Sequence, residues 1–324
     1  MGTRNIAAEE LRLGRDITVE PGCTIGGIRG PARRVVIGDN VFIGSDVRIL
    51  APEVYIGDYT TIHNHTTIYG YAPVRIGDCC WLGQNVIVNC TAPVWLGDGV
   101  VISAYSNLWS HFRGGDILQG CRFDRERPLA VGDDAWIGVQ CTVAPVLVHR
   151  RALVLAGAVV THDLAENHVY AGNPARDVTE RMGPHCEELT LEEKFELLKG
   201  RLIDFDRDWG RQQMPYRVDA GPSDVLAGAL AVTRPDPRFG GDEEGDFYAA
   251  GIVVTRNPWR KSDVPVFSVA DRSYSKQRTP QEIAFMRFLL PQIKFYPHER
   301  PELKDLQARF APLIPGLEAL IGGA

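Results

Sequence analysis

The chain has 324 residues, enough for two domains, and its 44% hydrophobic and 23% charged content is that of a folded protein rather than a disordered one. A formal charge of -6 without a basic stripe argues against nucleic acid as the main partner, because nothing would offset the phosphates. The opening MGTRNIAAEELRLGRD is charged throughout and no window reaches the apolar length of a membrane span, so a cytoplasmic protein with no signal peptide or anchor is expected.

Residues 1–16 read as a lead. Residues 17–179 then carry a six-residue beat: VVIGDN, VFIGSD, VRILAP, then VYIGDY, TTIHNH, TTIYGY, then VRIGDC, CWLGQN, VIVNCT. The third place is aliphatic at Ile37, Ile43, Ile49, Ile56, Ile62, Ile68, Ile76, Leu82, Val88, Leu96, Ile102 and Leu108. Corners of the form Ile/Leu-Gly-Asp begin at Ile37, Ile56, Ile76 and Leu96, their glycines 19, 20 and 20 residues apart, and a fifth follows at Val131-Gly132-Asp133. Such a beat is the hexapeptide form of a parallel β-helix, in which three short strands make one triangular coil and the aliphatics stack roughly 4.8 Å apart. At each corner Gly is expected to take positive φ, with Asp bonded back to its own backbone. An antiparallel sandwich is the alternative, but simple alternation would not keep the corners in phase over so many repeats.

The fourth coil begins at VWLGDG and VVISAY and is then broken by SNLWSHFRGGDILQGCRFDRERP, which has no hexad phase. A strict solenoid has no packing need for such an excursion, so it reads as a binding loop. The beat resumes with Val131, Ile137 and Val143, and continues in a last coil with Val148, Val154 and Val160, whose glycine corner is replaced by His149-Arg150-Arg151. HVYAGNPARDVTERMG then reads as a short strand, a turn and a departure that caps the open end. The seven cysteines contain no C-x-x-C pair and look like small, at least half-buried thiols in a reducing compartment.

From Thr190 the period changes. A capping box, Thr190 with Glu193, opens a helix whose apolar residues Leu191, Phe195, Leu198, Leu202, Phe205 and Trp209 form one stripe, giving a connecting amphipathic helix over 180–210. It could dock on the prism or on sister helices. Residues 211–324 read as a small α/β domain of unknown role: strand-like runs VLAGALAVTR, YAAGIVVTRN and VPVFSVADRSYS, a helix opened by Thr279-Pro280, a short strand IKFYP and a helical tail from Leu303 to Leu320.

Half of the chain thus resembles the left-handed β-helix acyltransferases, in the branch of maltose, galactoside and xenobiotic O-acetyltransferases. The hexads carry the resemblance together with the ordered run VGDDAWIG, VVTHD and YAGNPAR and a His-bearing excursion one coil earlier. The resemblance implies a homotrimer of parallel prisms with acetyl-CoA as donor in a groove between chains. His111 falls where the family's catalytic histidine lies; an imidazole suits a general base because its ordinary pKa leaves it mostly neutral at neutral pH. Gly138, Ala156 and Gly157 match the pantetheine arm, and Asn173, Pro174 and Arg176 the adenine and 3'-phosphate end. Arg150, Arg151 and Arg176 are the implied phosphate partners, with a charged cap on the solenoid as their alternative role.

For the acceptor, a carbohydrate or similar small polar molecule, the expected contacts are His65, Asn85, Asn89 and Trp109. His63 and His65 flank Asn64 and would point the same way on a strand, so they could hold a metal, line the acceptor pocket or face solvent. No metal is expected. In the gamma-class carbonic anhydrases, which share the prism, three histidines hold zinc; those places fall here on Gln84, Asn89 and near Tyr69, which cannot replace imidazoles. The expected activity is acetyl-CoA-dependent O-acetyl transfer, with N-acetyl transfer open, and the alternative is a non-catalytic trimeric scaffold or ligand-binding prism.

Overall fold

Three parallel sheets carry the hexads, seven, nine and seven strands in order. Face 1 runs from Ala8–Leu13 through Ala32–Ile37, Glu53–Ile56, Val74–Ile76, Val94–Leu96 and Leu129–Val131 to Leu147–Val148. Face 2 contains Phe42–Ile43, Thr61–Ile62, Trp81–Leu82, Val101–Ile102, Trp136–Ile137 and Leu153–Val154, and face 3 contains Arg48–Leu50, Thr67–Tyr69, Ile87–Asn89, Asn107–Leu108, Thr142–Val143 and Val159–Val160. The protein is a left-handed parallel β-helix followed by a helix and a small mixed α/β sheet. The computed structural model describes residues 5–213, 246–258, 262–290 and 292–321. Their contacts divide the chain into one unit of Met1–Glu187 with Glu302–Ala324 and a second of Glu188–Pro301.

The register is the one the beat requires. Ile76 pairs with Ile56 on one side and Leu96 on the other. Every third-place aliphatic from Ile37 to Leu108, and Val131, Ile137, Val143, Val148, Val154 and Val160 after the interruption, is at most 2% exposed. Each fully buried side chain of this kind contributes roughly 1.5–3 kcal/mol, so the stacked column is the main source of stability. The first hexad place is also internal. Where it is polar, the side chain donates to a corner carbonyl of the next coil: Thr60 to Gly77 (2.6 Å), Thr66 to Gly83 (2.9 Å) and Ser106 to Gly138 (2.7 Å). The burial of the cysteines is as expected. Five are buried, Cys121 and Cys186 are half-buried, none is in a disulfide, and burial pushes the Cys90 thiol up to about 12.

The corners work differently from the expectation. Positive φ falls two residues after the glycine, at Asn40 (57°), Tyr59 (55°), Cys79 (54°) and Gly99 (68°). The glycine is needed for closeness instead: a Cβ at Gly57 would lie 2.2 Å from Asp78 Oδ1 and 2.6 Å from Asp78 N. The aspartates also bond between coils. Asp58 accepts the N–H of Asp39, Asp78 that of Asp58, Asp98 that of Asp78 and Asp133 that of Asp98, at 2.7, 2.7, 3.0 and 2.8 Å. Stacked carboxylates repel, and a buried guanidinium offsets this: Arg75 donates to Asp98 and to the carbonyl of Leu96, and lies 4.3 Å from the ring centre of Trp95.

Two boundaries differ from the sequence reading. The lead is not separate, because Ala8–Leu13 forms the first strand of face 1, paired with Ala32–Ile37. The tail does not belong with the α/β unit either. Its helix, Pro301–Phe310, and the turn Leu317–Ala319 cover the outside of face 1, where Phe310, Ile314, Leu317 and Leu320 bury Tyr55, Trp95 and Ala130. Those outward residues are apolar and need a cover, which the tail supplies.

In the second unit the helix Leu191–Gln213 opens on the expected capping box, with Glu193 accepting from Thr190 N (2.8 Å) and Thr190 Oγ1 from Glu193 N (3.3 Å). Phe195, Leu198, Leu202 and Phe205 are buried, and Phe205 packs on Phe285 and Phe288 of the helix Pro280–Leu289. The stripe therefore serves the α/β unit, so the helix is one of its layers rather than a connector. YAAGIVVTRN is two strands, Phe247–Ala249 and Ile252–Thr255, because Ala250 and Gly251 turn at positive φ. The run VLAGALAVTR lies outside the described residues.

Glu282 is 1% exposed and accepts the N–H groups of Gln277 (2.7 Å) and Arg278 (3.2 Å), yet burial outweighs these bonds and pushes its carboxyl up to about 7. Between its unfolded value of 4.5 and about 7 the folded state holds a proton that the unfolded state has lost. Stability should therefore fall as pH rises through that window, by up to about 1.4 kcal/mol per pH unit. Glu282→Gln should flatten the slope. Thermal unfolding between pH 4.5 and 8 checks this, and equal slopes for both proteins would exclude it.

Candidate active site

The excursion is a β-hairpin built on the corner between face 3 and face 1. His111–Phe112 pairs antiparallel with Arg125–Glu126, His111 opposite Glu126, and a 3-10 turn, Ile117–Gln119, lies toward the tip. Ion pairs hold it: Arg113 bridges Asp124 (2.9 Å) and Glu126 (2.8 Å), and Arg127 meets Asp163 (3.0 Å). The N–H of Arg127 donates to the carbonyl of Ser110 (3.1 Å), closing the base of the hairpin beside His111. The tip leaves Ile117, Leu118 and Phe123 exposed.

His111 is half-buried, with its Nδ1 2.8 Å from Oδ1 of Asn89 and its ring edge-on to Trp109 at 6.0 Å. The same Oδ1 lies 3.0 Å from Ser110 Oγ and 3.1 Å from Thr91 N, and Ser110 Oγ accepts the N–H of Ala92 at 3.0 Å. Nε2 has no hydrogen-bond partner among the described residues. The arrangement leaves an imidazole nitrogen open at the base of a braced hairpin, where it can accept a proton from a nearby hydroxyl or amine.

Of the residues expected to meet an acceptor, only Trp109 and Asn89 adjoin His111. Asn89 is 1% exposed with its oxygen fully engaged, so it holds the histidine rather than lining a pocket. His65 and Asn85 are not on strands. They occupy the positive-φ position (61° and 58°) of the corner between face 2 and face 3, at the other edge of face 3 from His111. His65 is 3.7 Å from Asp46, and His63 lies against Trp81 and Phe42, where burial lowers its pKa. No group of three His, Cys, Asp or Glu able to hold a metal occurs among the described residues.

The residues matched to coenzyme A divide between two edges. Gly138, Ala156 and Gly157, with Asn173 and Pro174 after the strand Val169–Ala171, lie on the corner between faces 2 and 3. Arg150 and Arg151 lie on the corner between faces 1 and 2, and Arg176 lies in the returning strand Arg176–Asp177, opposite Ala171. Gly138 has a packing reason to be small, since a Cβ would stand 2.6 Å from the carbonyl oxygen of Val154. Gly157, at φ +73°, has nothing within 4 Å of a Cβ, and Ala156 beside it is exposed, so this part of the edge is open to a ligand. Arg151 is taken by Glu166 at 2.8 Å, whose carboxylate raises its pKa; Arg150 and Arg176 make no ion pair among the described residues. Asp177, next to Arg176, is held down to about 2 by Thr179 and His168.

Sequence reasoning gave His111 but not its partners. The available signal was Asn89, an amide ending the run Val86-Ile87-Val88 where other coils place Leu50, Tyr69 or Trp109. Ser110 gave none, because serine is ordinary in a loop.

Two family models match the repeats: the bacterial transferase hexapeptide (six repeats) over residues 34–70, and the hexapeptide repeat of succinyl-transferase over 73–104 and 128–162. The chain is similar to the putative acetyltransferase YJL218W of Saccharomyces cerevisiae, 32% identical over 115 residues, covering 33% of this chain and 58% of that protein. It is also 30% identical over 180 residues to the bifunctional protein GlmU of a Geobacillus species, covering 49% of this chain and 37% of that protein. The chain thus spans less than two thirds of the length of either. Among solved structures, AntD, an N-acyltransferase from Bacillus cereus in complex with dTDP and coenzyme A, aligns at 17% identity and a TM-score of 0.37, covering 58% of this chain and 91% of that one. No helix among the described residues is long and apolar enough to cross a membrane. With its stacked coils in register and its hexads matched on both sides of the interruption, the segment 34–162 carries the hexapeptide repeats of bacterial transferases.

Proposed function

We propose that the protein transfers an acyl group, acetyl in the first instance, from its coenzyme A thioester to a hydroxyl or amine of a carbohydrate or similar polar acceptor, with His111 as general base. The observation that carries this is the ring of His111, braced through Nδ1 and open at Nε2. Nε2 takes the acceptor's proton as its oxygen or nitrogen attacks the thioester carbonyl. A backbone N–H stabilises the oxyanion, the carbon–sulfur bond breaks, and the imidazolium returns the proton to the leaving thiolate.

The division of residues between edges supports a homotrimer. His111 borders one edge of face 3, while His65, Asn85 and the open corner at Ala156 and Gly157 border the other. Parallel prisms around a threefold axis would set the first edge of one chain against the second edge of its neighbour. Pantetheine would lie along Ala156 and Gly157, and Arg150 or Arg176 would be nearer to phosphate than the engaged Arg151. The test is to mix the full chain with acetyl-CoA and a panel of mono- and disaccharides and follow free thiol, with calorimetry of coenzyme A binding. Acceptor-dependent thiol release is expected. No release together with no coenzyme binding would leave the prism a scaffold.

A further inference from the structure

We propose that Asn89 and Ser110 form a positioning relay that fixes His111 in the tautomer protonated on Nδ1, leaving the lone pair on Nε2. Two backbone N–H groups dictate every direction in it. A backbone N–H can only donate, so the side-chain atom of Asn89 facing Thr91 N is its oxygen, in an Asx turn. Ser110 Oγ accepts from Ala92 N–H, which leaves its own hydrogen for Asn89 Oδ1. Nδ1 of His111 faces that same oxygen, which has no hydrogen to give, so Nδ1 must carry one. Flipping the Asn89 amide would turn its NH₂ toward the N–H of Thr91, which can only donate, and lose that bond in a buried place.

Asn89 is 1% exposed and Ser110 0%, and buried polar side chains in an aliphatic prism are costly unless fully bonded. Two of their bonds satisfy corner N–H groups, those of Thr91 and Ala92, and the remaining contact of Asn89 Oδ1 is with His111, where the hairpin starts. An amide also differs from a carboxylate here: it orients the ring without adding a negative charge that would favour the imidazolium.

The tautomer is read without substrate, from side-chain ¹⁵N shifts of histidine-labelled full-length protein, with the His111 signals among the eight histidines found by their loss in His111→Gln. In the neutral ring of the wild type, Nδ1 should be protonated. In Asn89→Ala the Nε2–H form preferred by free imidazole should take over, and Ser110→Ala should give a mixture. Asn89→Asp should keep the Nδ1–H form but raise the titration midpoint by about one unit or more. An Nε2–H ring in the wild type, or no change of tautomer in Asn89→Ala, would overturn the relay. Should Asn89→Ala not fold, an unchanged ratio in Ser110→Ala with an unchanged midpoint in Asn89→Asp would do the same.

The effect on turnover rests on the acyl-transfer reading, and the tautomer does not. Asn89→Ala should lower kcat about 10-fold or more with the KM for acetyl-CoA within about twofold, and Asn89→Asp should move the acid limb of the pH profile upward. A tautomer that changes while turnover stays at the wild-type rate would keep the relay and remove His111 as the base.

Discussion

His111→Ala is expected to lower kcat by about 10² or more, the usual scale for losing a general base, with little change in coenzyme affinity. The expectation follows from where the ring sits: Nδ1 is committed to Asn89, and Nε2 is open at the base of the hairpin. The competing histidines serve as controls. His65 stands at the other edge of face 3, and His63 is wedged between Trp81 and Phe42. Alanine at His65 should change the KM for an acceptor more than kcat. Steady-state thiol release separates these cases, and added imidazole restoring part of the His111→Ala rate would tie the loss to proton transfer rather than to a disturbed hairpin. Turnover near the wild-type rate in His111→Ala would end the assignment.

The second large effect concerns stability. Phe310→Ala should cost about 3–5 kcal/mol, the range for truncating a buried phenylalanine. Phe310 is 1% exposed, edge-on to Trp95 at 5.3 Å and to Tyr55 at 6.2 Å, and its neighbour Arg309 pairs with Glu53 at 2.6 Å. Trp95 in turn covers Arg75, the guanidinium that offsets the aspartate column, so water reaching this place would weaken a buried ion pair as well as an apolar contact. Arg309→Ala, which removes an exposed pair, should cost less than about 1 kcal/mol. Urea unfolding followed by tryptophan fluorescence measures both. A loss below about 1 kcal/mol for Phe310→Ala would mean that the tail is a loose cover.

Much of the fold was legible because its physics repeats. A column such as Ile37, Ile56, Ile76 and Leu96 is buried by the same contact in every coil, so the period in the chain is the period in space. The cap at Val169–Asp177 and the helix starts at Thr190 and Thr279 were equally readable, since capping chemistry is local. The tail was not. Nothing in LEALIG or in Phe310 says that the outer residues of face 1 lie opposite, because Tyr55 and Trp95 are more than two hundred residues from Phe310. Arg75 had no signal either, as an arginine at the outward hexad place reads as solvent-facing until Trp95 and the tail enclose it.

The sequence by itself determined the prism, its interruption and the histidine at the break, because stacking and corner geometry act between residues a fixed number of places apart. Only the tertiary structure decided which edge each candidate residue occupies. Asn89 and His111 are 22 places apart and meet, whereas His65 and Arg150, equally plausible in one dimension, stand on other corners. A triangular coil sends successive short segments in three directions, so function along such a chain depends on which corner a residue reaches as much as on its chemistry.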